Sequence, residues 1–104
     1  MGSTNRIGVT LGDPSGIGPE IVAQALAAAA PGLRRRLVVF CDRAILERGA
    51  EVVGRPVPGD LTIADRRELA PEMAPPGSPS AMGGLAQVAY LESAMAAAVA
   101  GEIA

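Results

Sequence analysis

The sequence predicts an α/β domain with a parallel sheet, and three observations lead to this fold class. Apolar side chains recur at every second position over 6–11, which is the period of a strand, and the apolar face of a helix follows over 19–30. A second strand pattern at 37–41 is continuously apolar, as expected for a strand covered on both faces. Strand, helix and strand in this order imply parallel pairing through a right-handed crossover. No internal repeat occurs, and residues 1–104 are interpreted as one portion of a single α/β fold.

The first helix, a short second helix and a further strand are predicted from their boundary residues. Pro19 suits a first helical position because its missing N–H would have no intrahelical partner there, and Pro31 ends that helix. Asp42 can cap the short helix that follows the second strand, and Gly49 is expected to stop it. A weaker strand is predicted over 61–64.

A long helix is predicted near the end of the chain, after an irregular segment. Four prolines between positions 65 and 79 predict a loop there. Ser80 opens the helix, which extends to Ala100. One stripe of this helix is apolar and consists of Ala81, Leu85, Val88, Leu91, Met95 and Ala98. The last two residues look like the start of a strand that is cut off.

The loop between the first strand and the first helix is the strongest candidate for a functional site. From Gly12 it reads Gly-Asp-Pro-Ser-Gly-Ile-Gly-Pro-Glu. In open α/β sheets such crossover loops lie at the carboxyl ends of the strands, where ligands bind. We therefore expect part of a cofactor or substrate pocket here. Its candidate binding residues are Asp13, Ser15, Gly16, Ile17 and Gly18.

Two common nucleotide-binding motifs are incomplete in this loop. Ile21 stands where the dinucleotide pattern has its third glycine, and no lysine follows as a phosphate-binding loop requires. Gly16 and Gly18 can still adopt positive φ or let a ligand approach the main chain. Asp13 and Glu20 place two carboxylates at the start of the helix, which opposes a bare phosphate. They suit hydroxyl recognition or a loop tied to its own amides.

Two aspartates have alternative roles. Asp13 either locks the turn by accepting backbone hydrogen bonds or contacts a ribose or substrate hydroxyl. Asp42 stands at the end of the second strand, where a dinucleotide-binding fold would place a ribose-binding acid. Because the glycine pattern is incomplete, we interpret Asp42 as a helix cap instead.

Composition argues against several classes of protein. The net charge is −2, and the one basic run, Arg34–Arg36, is interpreted as a solvated turn, so no nucleic-acid or membrane partner is expected. The single cysteine, Cys41, is expected to be a small buried hydrophobe. No signal peptide or membrane span is recognisable, which predicts a cytoplasmic protein. The core is thin because Phe40 and Tyr90 are its only aromatic candidates, so we expect the isolated chain to be marginally stable or to self-associate.

The glycine-rich loop closely resembles the N-terminal signature of the 4-hydroxythreonine-4-phosphate dehydrogenase family. The segments 38–42, 79–86 and 100–102 are similar to the same family, so the resemblance covers nearly the whole chain. It implies a truncated three-layer α/β domain with a parallel sheet, of the isocitrate and isopropylmalate dehydrogenase-like type, with the remainder of the fold absent. The chain would then be the N-terminal portion of a single dehydrogenase fold.

The resemblance also implies an activity. Members of the family are NAD-dependent oxidoreductases that bind a divalent metal through three histidines. They oxidise and decarboxylate a phosphorylated hydroxy-amino acid on the pyridoxal phosphate pathway, and the complete protein is expected to be a homodimer. Relatives act on other phosphorylated sugar acids or on cis-dihydrodiols, so the substrate stays open.

The chain contains no histidine and no lysine. The family's metal ligands and basic substrate contacts therefore have no counterpart here, and we assign no catalytic and no metal-binding residue to this chain. Taken alone it is expected to be inactive. The alternative is a non-catalytic α/β module that binds a small ligand or a partner through the loop and the alanine-rich helix.

Overall fold

The computed structural model describes residues 6–104, which form an α/β fold on a three-stranded parallel sheet. The sheet order is β1-β2-β3, and β2 is the central strand. The strands are β1 (Ile7–Thr10), β2 (Leu37–Cys41) and β3 (Thr62–Asp65). The helices are α1 (Gly18–Ala28), the single turn α2 (Pro31–Arg34), α3 (Arg43–Val53) and α4 (Ala81–Val99), and a short 3₁₀ turn spans Pro71–Met73. The predicted fold class is confirmed.

The core lies around β2, whose five side chains are all buried. In the register of the sheet, Val39 lies opposite Val9 of β1 and Ile63 of β3. Helices α1 and α3 pack on each other over one face, and α4 packs on β1 and β2 from the other. The continuous apolar run at 37–41 is explained by this arrangement, because a central parallel strand has no face toward water.

Helix α3 continues past the position where the sequence was expected to stop it. Gly49 lies inside the helix, and the expectation that it ends there is wrong. A Cβ at this position would lie 2.6 Å from the carbonyl carbon and oxygen of Pro19, so the missing side chain lets α3 approach α1 closely. Gly54, with a φ of 68°, ends the helix in the left-handed conformation typical of a helix C-terminus.

The predicted apolar stripe of α4 lies on the outer side of the helix. Leu85 is 70% exposed, and Val88, Leu91 and Met95 are also exposed. The buried side consists of Gly83, Ala86, Tyr90 and Ala97. Small residues let the helix backbone come close to the sheet, while Tyr90 supplies most of the buried apolar area. Among the described residues, no helix combines the length and the apolar character needed to cross a bilayer.

Arg34 is not simply solvated, contrary to the expectation for the basic run. Its guanidinium forms two hydrogen bonds with the carboxylate of Asp60, at 2.9 and 3.1 Å, and a third with the Ala29 carbonyl oxygen at 2.7 Å. The hydrogen bonds from Arg34 lower the pKa of Asp60 below its ordinary range. This arginine therefore joins the end of α1 to the segment before β3.

Candidate functional site

The crossover loop after β1 is a tight turn that is held by Asp13. The Asp13 carbonyl oxygen accepts a hydrogen bond from the Gly16 N–H at 2.9 Å. The side-chain Oδ1 of Asp13 accepts a second hydrogen bond, from the Ser15 N–H, also at 2.9 Å. This is the local hydrogen bonding expected of an aspartate that locks a turn. Contact between Asp13 and a ligand hydroxyl stays a prediction.

The glycines of this loop have different roles from those expected. Gly16 and Gly18 were expected to adopt positive φ, but neither does, so this expectation is wrong. The residue of this loop with positive φ is Gly12, at 77°. A Cβ on Gly18 would clash with the carbonyl oxygen of Leu11, so this glycine permits a close approach within the chain itself. At Gly16 the nearest atom to a Cβ would be the Asp13 carbonyl oxygen at 3.4 Å, which is an ordinary contact.

Ser15 is the candidate residue with an unsatisfied polar atom. It is 2% exposed, and its Oγ is buried with no hydrogen-bond partner among residues 6–104. Buried hydroxyls nearly always have a partner in native proteins, supplied by protein, water or ligand. Ile17, in contrast, is 68% exposed at the start of α1. Ser15 and Ile17 thus present a buried hydroxyl and an exposed apolar side chain at the same loop.

The segment around the 3₁₀ turn covers the crossover loop, and Arg48 of α3 holds the two together. Its guanidinium donates hydrogen bonds to the carbonyl oxygens of Pro71 at 2.8 Å, Pro14 at 3.1 Å and Ala74 at 2.6 Å. The N–H of Gly77 also donates to the Ser15 carbonyl oxygen at 2.8 Å. Sequence reasoning missed Arg48. The available signal was an arginine next to Gly49, on the helix face that meets the glycine- and proline-rich loops.

Little space is left between these segments. A cavity of about 20 Å³ lies among Pro14, Gly16, Arg48 and Pro76, with room for about one water-sized group. A dinucleotide does not fit inside it. Within the described residues, the crossover loop can therefore contribute only its outer surface to a larger pocket.

The N-terminus of α4 also faces the crossover loop. Ser80 caps this helix, because its Oγ accepts a hydrogen bond from the Gly83 N–H at 3.0 Å. A Cβ on Gly83 would lie 3.3 Å from Asp13 Oδ1, so the carboxylate is close to the first turn of α4. The partial positive charge of a helix N-terminus stabilises a nearby anion. The protein's own carboxylate takes this position, which disfavours a bare phosphate here.

Asp42 has a structural role that differs from both interpretations of the sequence. Its Oδ1 accepts a hydrogen bond from Glu68 N at 2.7 Å, and its Oδ2 accepts from Leu69 N at 3.3 Å and from the Tyr90 hydroxyl at 2.7 Å. Asp42 is the N-cap residue of α3 as predicted, but its side chain makes no capping bond to the helix, so only the expected side-chain cap is wrong. The amide at the start of α3, Arg43 N, instead donates to Asp65 Oδ1 at 3.1 Å.

The contacts of Asp42 also leave it unavailable to a ribose. It is 2% exposed, and both carboxylate oxygens are engaged inside the protein. Burial, followed by the hydrogen bond to Asp42, raises the pKa of Tyr90 above its ordinary value. Asp42 therefore joins the end of β2 to the loop after β3 and to α4.

Cys41 is a buried, unreactive thiol, as predicted. It lies at the end of β2 and is fully buried. Burial, with smaller contributions from Asp65 and Asp42, raises its pKa from 9.0 to about 12. Because the thiolate is the nucleophile, a thiol with this pKa is inert near neutral pH.

Comparison with known proteins finds similar dehydrogenases. No family model matches the chain. It is 36% identical over 104 residues to a 4-hydroxythreonine-4-phosphate dehydrogenase of Thermosynechococcus vestitus, covering 94% of this chain and 30% of that protein. It is 34% identical to a D-threonate 4-phosphate dehydrogenase of Cupriavidus necator, covering 86% of this chain and 31% of that protein.

The fold agrees with solved structures of the same family. A 4-hydroxythreonine-4-phosphate dehydrogenase from Burkholderia phymatum matches 98% of this chain with a TM-score of 0.84 and 28% sequence identity. The enzyme from Klebsiella pneumoniae matches 97% with a TM-score of 0.82 and 28% identity. Over nearly its whole length the chain resembles the 4-hydroxythreonine-4-phosphate dehydrogenase family. It spans about a third of the length of these relatives, 30% of the first protein and 35% of each solved chain.

The residues of this chain do not fit the divalent metal that the family resemblance implies. The chain has no histidine, and the described residues contain no group of three His, Cys, Asp or Glu side chains that could hold a metal ion. The dehydrogenase family also implies a nicotinamide cofactor. Only the outer surface of the crossover loop is available to it here, because the Ser15 hydroxyl is buried and the loop forms no enclosed pocket by itself.

Proposed function

We propose that this chain is the N-terminal part of an NAD-dependent, divalent-metal-dependent dehydrogenase that oxidises and decarboxylates a phosphorylated hydroxy-amino acid in pyridoxal phosphate biosynthesis. The observation that carries the proposal is the 36% identity to a 4-hydroxythreonine-4-phosphate dehydrogenase along 94% of the chain. The homodimeric state and the cytoplasmic location expected from the resemblance are parts of the same proposal. The metal ligands and the cationic substrate contacts belong to the remainder of the enzyme.

Within this enzyme the described residues act as a rigid support for one wall of the active site. Arg48 and Asp42 tie three loops to the carboxyl end of the sheet through charge-assisted hydrogen bonds. The crossover loop, with Asp13, Ser15, Gly16, Ile17 and Gly18, then borders the cofactor or substrate. Support comes from its position after β1, where ligands bind in α/β sheets, and from the unsatisfied Ser15 hydroxyl.

The substrate is expected to be a four-carbon hydroxy acid with a terminal phosphate. The names of the two relatives describe such compounds, which differ at C2, where one carries an amino group and the other a hydroxyl. We favour the amino compound, and D-threonate 4-phosphate is the alternative. NAD reduction by the natural full-length protein with added divalent metal should be faster with the favoured substrate. No turnover of either compound would refute the proposed activity, and turnover of D-threonate 4-phosphate alone would support the alternative.

The isolated 104-residue chain provides a second test. It should show no metal-dependent NAD reduction with either substrate, because it has no histidine or lysine for the proposed chemistry. Clear turnover by the purified chain would contradict the assignment of the catalytic groups to the remainder of the enzyme.

The role of the Ser15 hydroxyl can be tested with Ser15→Ala in the full-length protein. If Oγ bonds the cofactor or substrate, the KM or Kd of that ligand should rise by up to about tenfold, since one hydrogen bond contributes about 0.5–1.5 kcal/mol. Stability should stay the same or rise, because a buried hydroxyl without a partner is removed. Ser78→Ala, at an exposed position, is the matched control. Unchanged KM values for both ligands would exclude Ser15 from the pocket.

A further inference from the structure

The two peptide groups on either side of Ser15 are held in part by the crossover loop itself. The N–H of Ser15 donates to Asp13 Oδ1, and the N–H of Gly16 donates to the Asp13 carbonyl oxygen, each at 2.9 Å. Both bonds are local, so they fix the shape of the turn but not its direction relative to the rest of the fold. That direction depends on the carbonyl oxygens of the same two peptide groups.

Both of these carbonyl oxygens accept hydrogen bonds from residues far away in the chain. The Pro14 carbonyl oxygen accepts from Arg48 Nη2 at 3.1 Å, and the Ser15 carbonyl oxygen accepts from the Gly77 N–H at 2.8 Å. All four polar groups of the two peptides are therefore bonded, which leaves the main chain at Ser15 little freedom to rotate. Ile17 follows this fixed part of the loop and is 68% exposed on its outer surface.

The side chain of Arg48 controls both of the distant hydrogen bonds. Its Nη2 donates to the crossover loop directly, and the same nitrogen donates to the Ala74 carbonyl oxygen at 2.6 Å. Its Nη1 donates to the Pro71 carbonyl oxygen at 2.8 Å. Both acceptors belong to the segment 71–77, whose last residue provides the second N–H that bonds the loop. Loss of the guanidinium would release one contact of the loop and loosen the other.

The geometry of the guanidinium, and not its charge alone, suits Arg48 to this role. Within residues 6–104 its side chain forms no ion pair and bonds only main-chain carbonyl oxygens. A planar guanidinium presents several N–H groups in fixed directions, whereas the ammonium of lysine is a single donor nitrogen. Lysine at this position would keep the positive charge but would not reproduce the contacts of two separate nitrogens.

We propose that Arg48 is a positioning residue of the dehydrogenase, which sets the direction of the crossover loop and thereby the affinity for the ligand that borders it. This inference rests on the proposed function, because that function places the cofactor or substrate at the outer surface of the loop. Arg48 acts through the main chain of the loop and not by contact with the ligand. The buried Ser15 hydroxyl is not required for this effect.

Steady-state kinetics of the natural full-length protein test this role. Arg48→Met keeps the length of the side chain but removes every donor. We expect kcat/KM to fall by about 10- to 100-fold, mainly through a higher KM for NAD or for the phosphorylated substrate, because a misplaced positioning element has effects of this size. Arg48→Lys should recover only part of the loss. Arg55→Met is the matched control, because Arg55 is exposed and its side chain makes no hydrogen bond within the described residues.

Amide hydrogen exchange tests the positioning of the loop independently of turnover. In Arg48→Met the amides of Ser15 and Gly16 should exchange many-fold faster than in the unsubstituted protein, because the loop loses its distant contacts. The amide of Val39, in the central strand, should keep its original rate and reports that the fold is intact. If Arg48→Met does not fold, Arg48→Lys is measured in its place, with changes in the same direction.

The outcomes separate this proposal from the proposed function. Unchanged exchange at Ser15 and Gly16 would overturn the positioning role, and so would faster exchange with unchanged KM values for both ligands. Turnover of neither compound by the unsubstituted protein would refute the proposed function instead. In that case the exchange rates and the Kd of NAD decide on Arg48: a higher Kd in Arg48→Met supports the role, and an unchanged Kd overturns it.

Discussion

The hydrogen bond between Tyr90 and Asp42 should contribute measurably to stability. Tyr90 is the only large side chain on the buried side of α4, and its hydroxyl lies 2.7 Å from Asp42 Oδ2. Tyr90→Phe removes this hydroxyl while the ring continues to fill the same space. Hydrogen bonds to charged groups contribute about 1.5–3 kcal/mol, so we expect a loss of that size. For a domain of this length the melting temperature should fall by about 4–8 °C per kcal/mol.

Urea denaturation followed by far-UV circular dichroism measures this loss. A double-mutant cycle with Asp42→Asn separates the bond from other effects of either substitution. Direct contact between the two side chains predicts a coupling of about 0.5–3 kcal/mol. A cost below about 0.5 kcal/mol for Tyr90→Phe, or additive effects in the double mutant, would show that the bond does not hold α4 to the end of β2.

Three further predictions concern packing, pH and loop attachment. Gly49→Ala should lower the free energy of unfolding, measured by urea titration, by about 1–3 kcal/mol, because the new Cβ would meet the Pro19 carbonyl group. Gly32→Ala is the control, and it should be neutral or stabilising because the space around Gly32 is open. Between about pH 9 and 12 the Cys41 thiol ionises in the unfolded chain but not in the native protein, so the free energy of unfolding should fall by about 1 kcal/mol per pH unit. The Cys41→Ala variant should not show this fall, and below pH 9 the two proteins should have the same pH dependence. Arg48→Met should make the segment around Pro71–Met73 more sensitive to limited proteolysis, since three hydrogen bonds to carbonyl oxygens are lost. An unchanged cleavage rate would refute the attachment role of Arg48.

Much of the fold follows from local patterns in the sequence. The alternation at 6–11 and the apolar run at 37–41 correspond to β1 and β2, and the intervening helix pattern corresponds to α1. Ser80 caps α4 as its position indicated. Side-chain periodicity, the Ser80 cap and crossover handedness depend on neighbouring residues and on chirality, so the sequence alone determined them. The same reasoning predicted that Asp13 could lock its turn, because the donor is only two residues away.

Tertiary structure decided which of these local possibilities were used. Asp42 could have capped α3, but its oxygens bond the amides of Glu68 and Leu69 and the hydroxyl of Tyr90, donors 26 to 48 residues away. Gly49 looked like a helix stop, yet it is where α3 meets α1. Tertiary packing also decided which side of α4 is buried. The small residues face the sheet, and the predicted apolar stripe faces outward. In each case the deciding contact joins residues far apart in the chain, and local sequence patterns carry no information about which distant groups the fold will bring together.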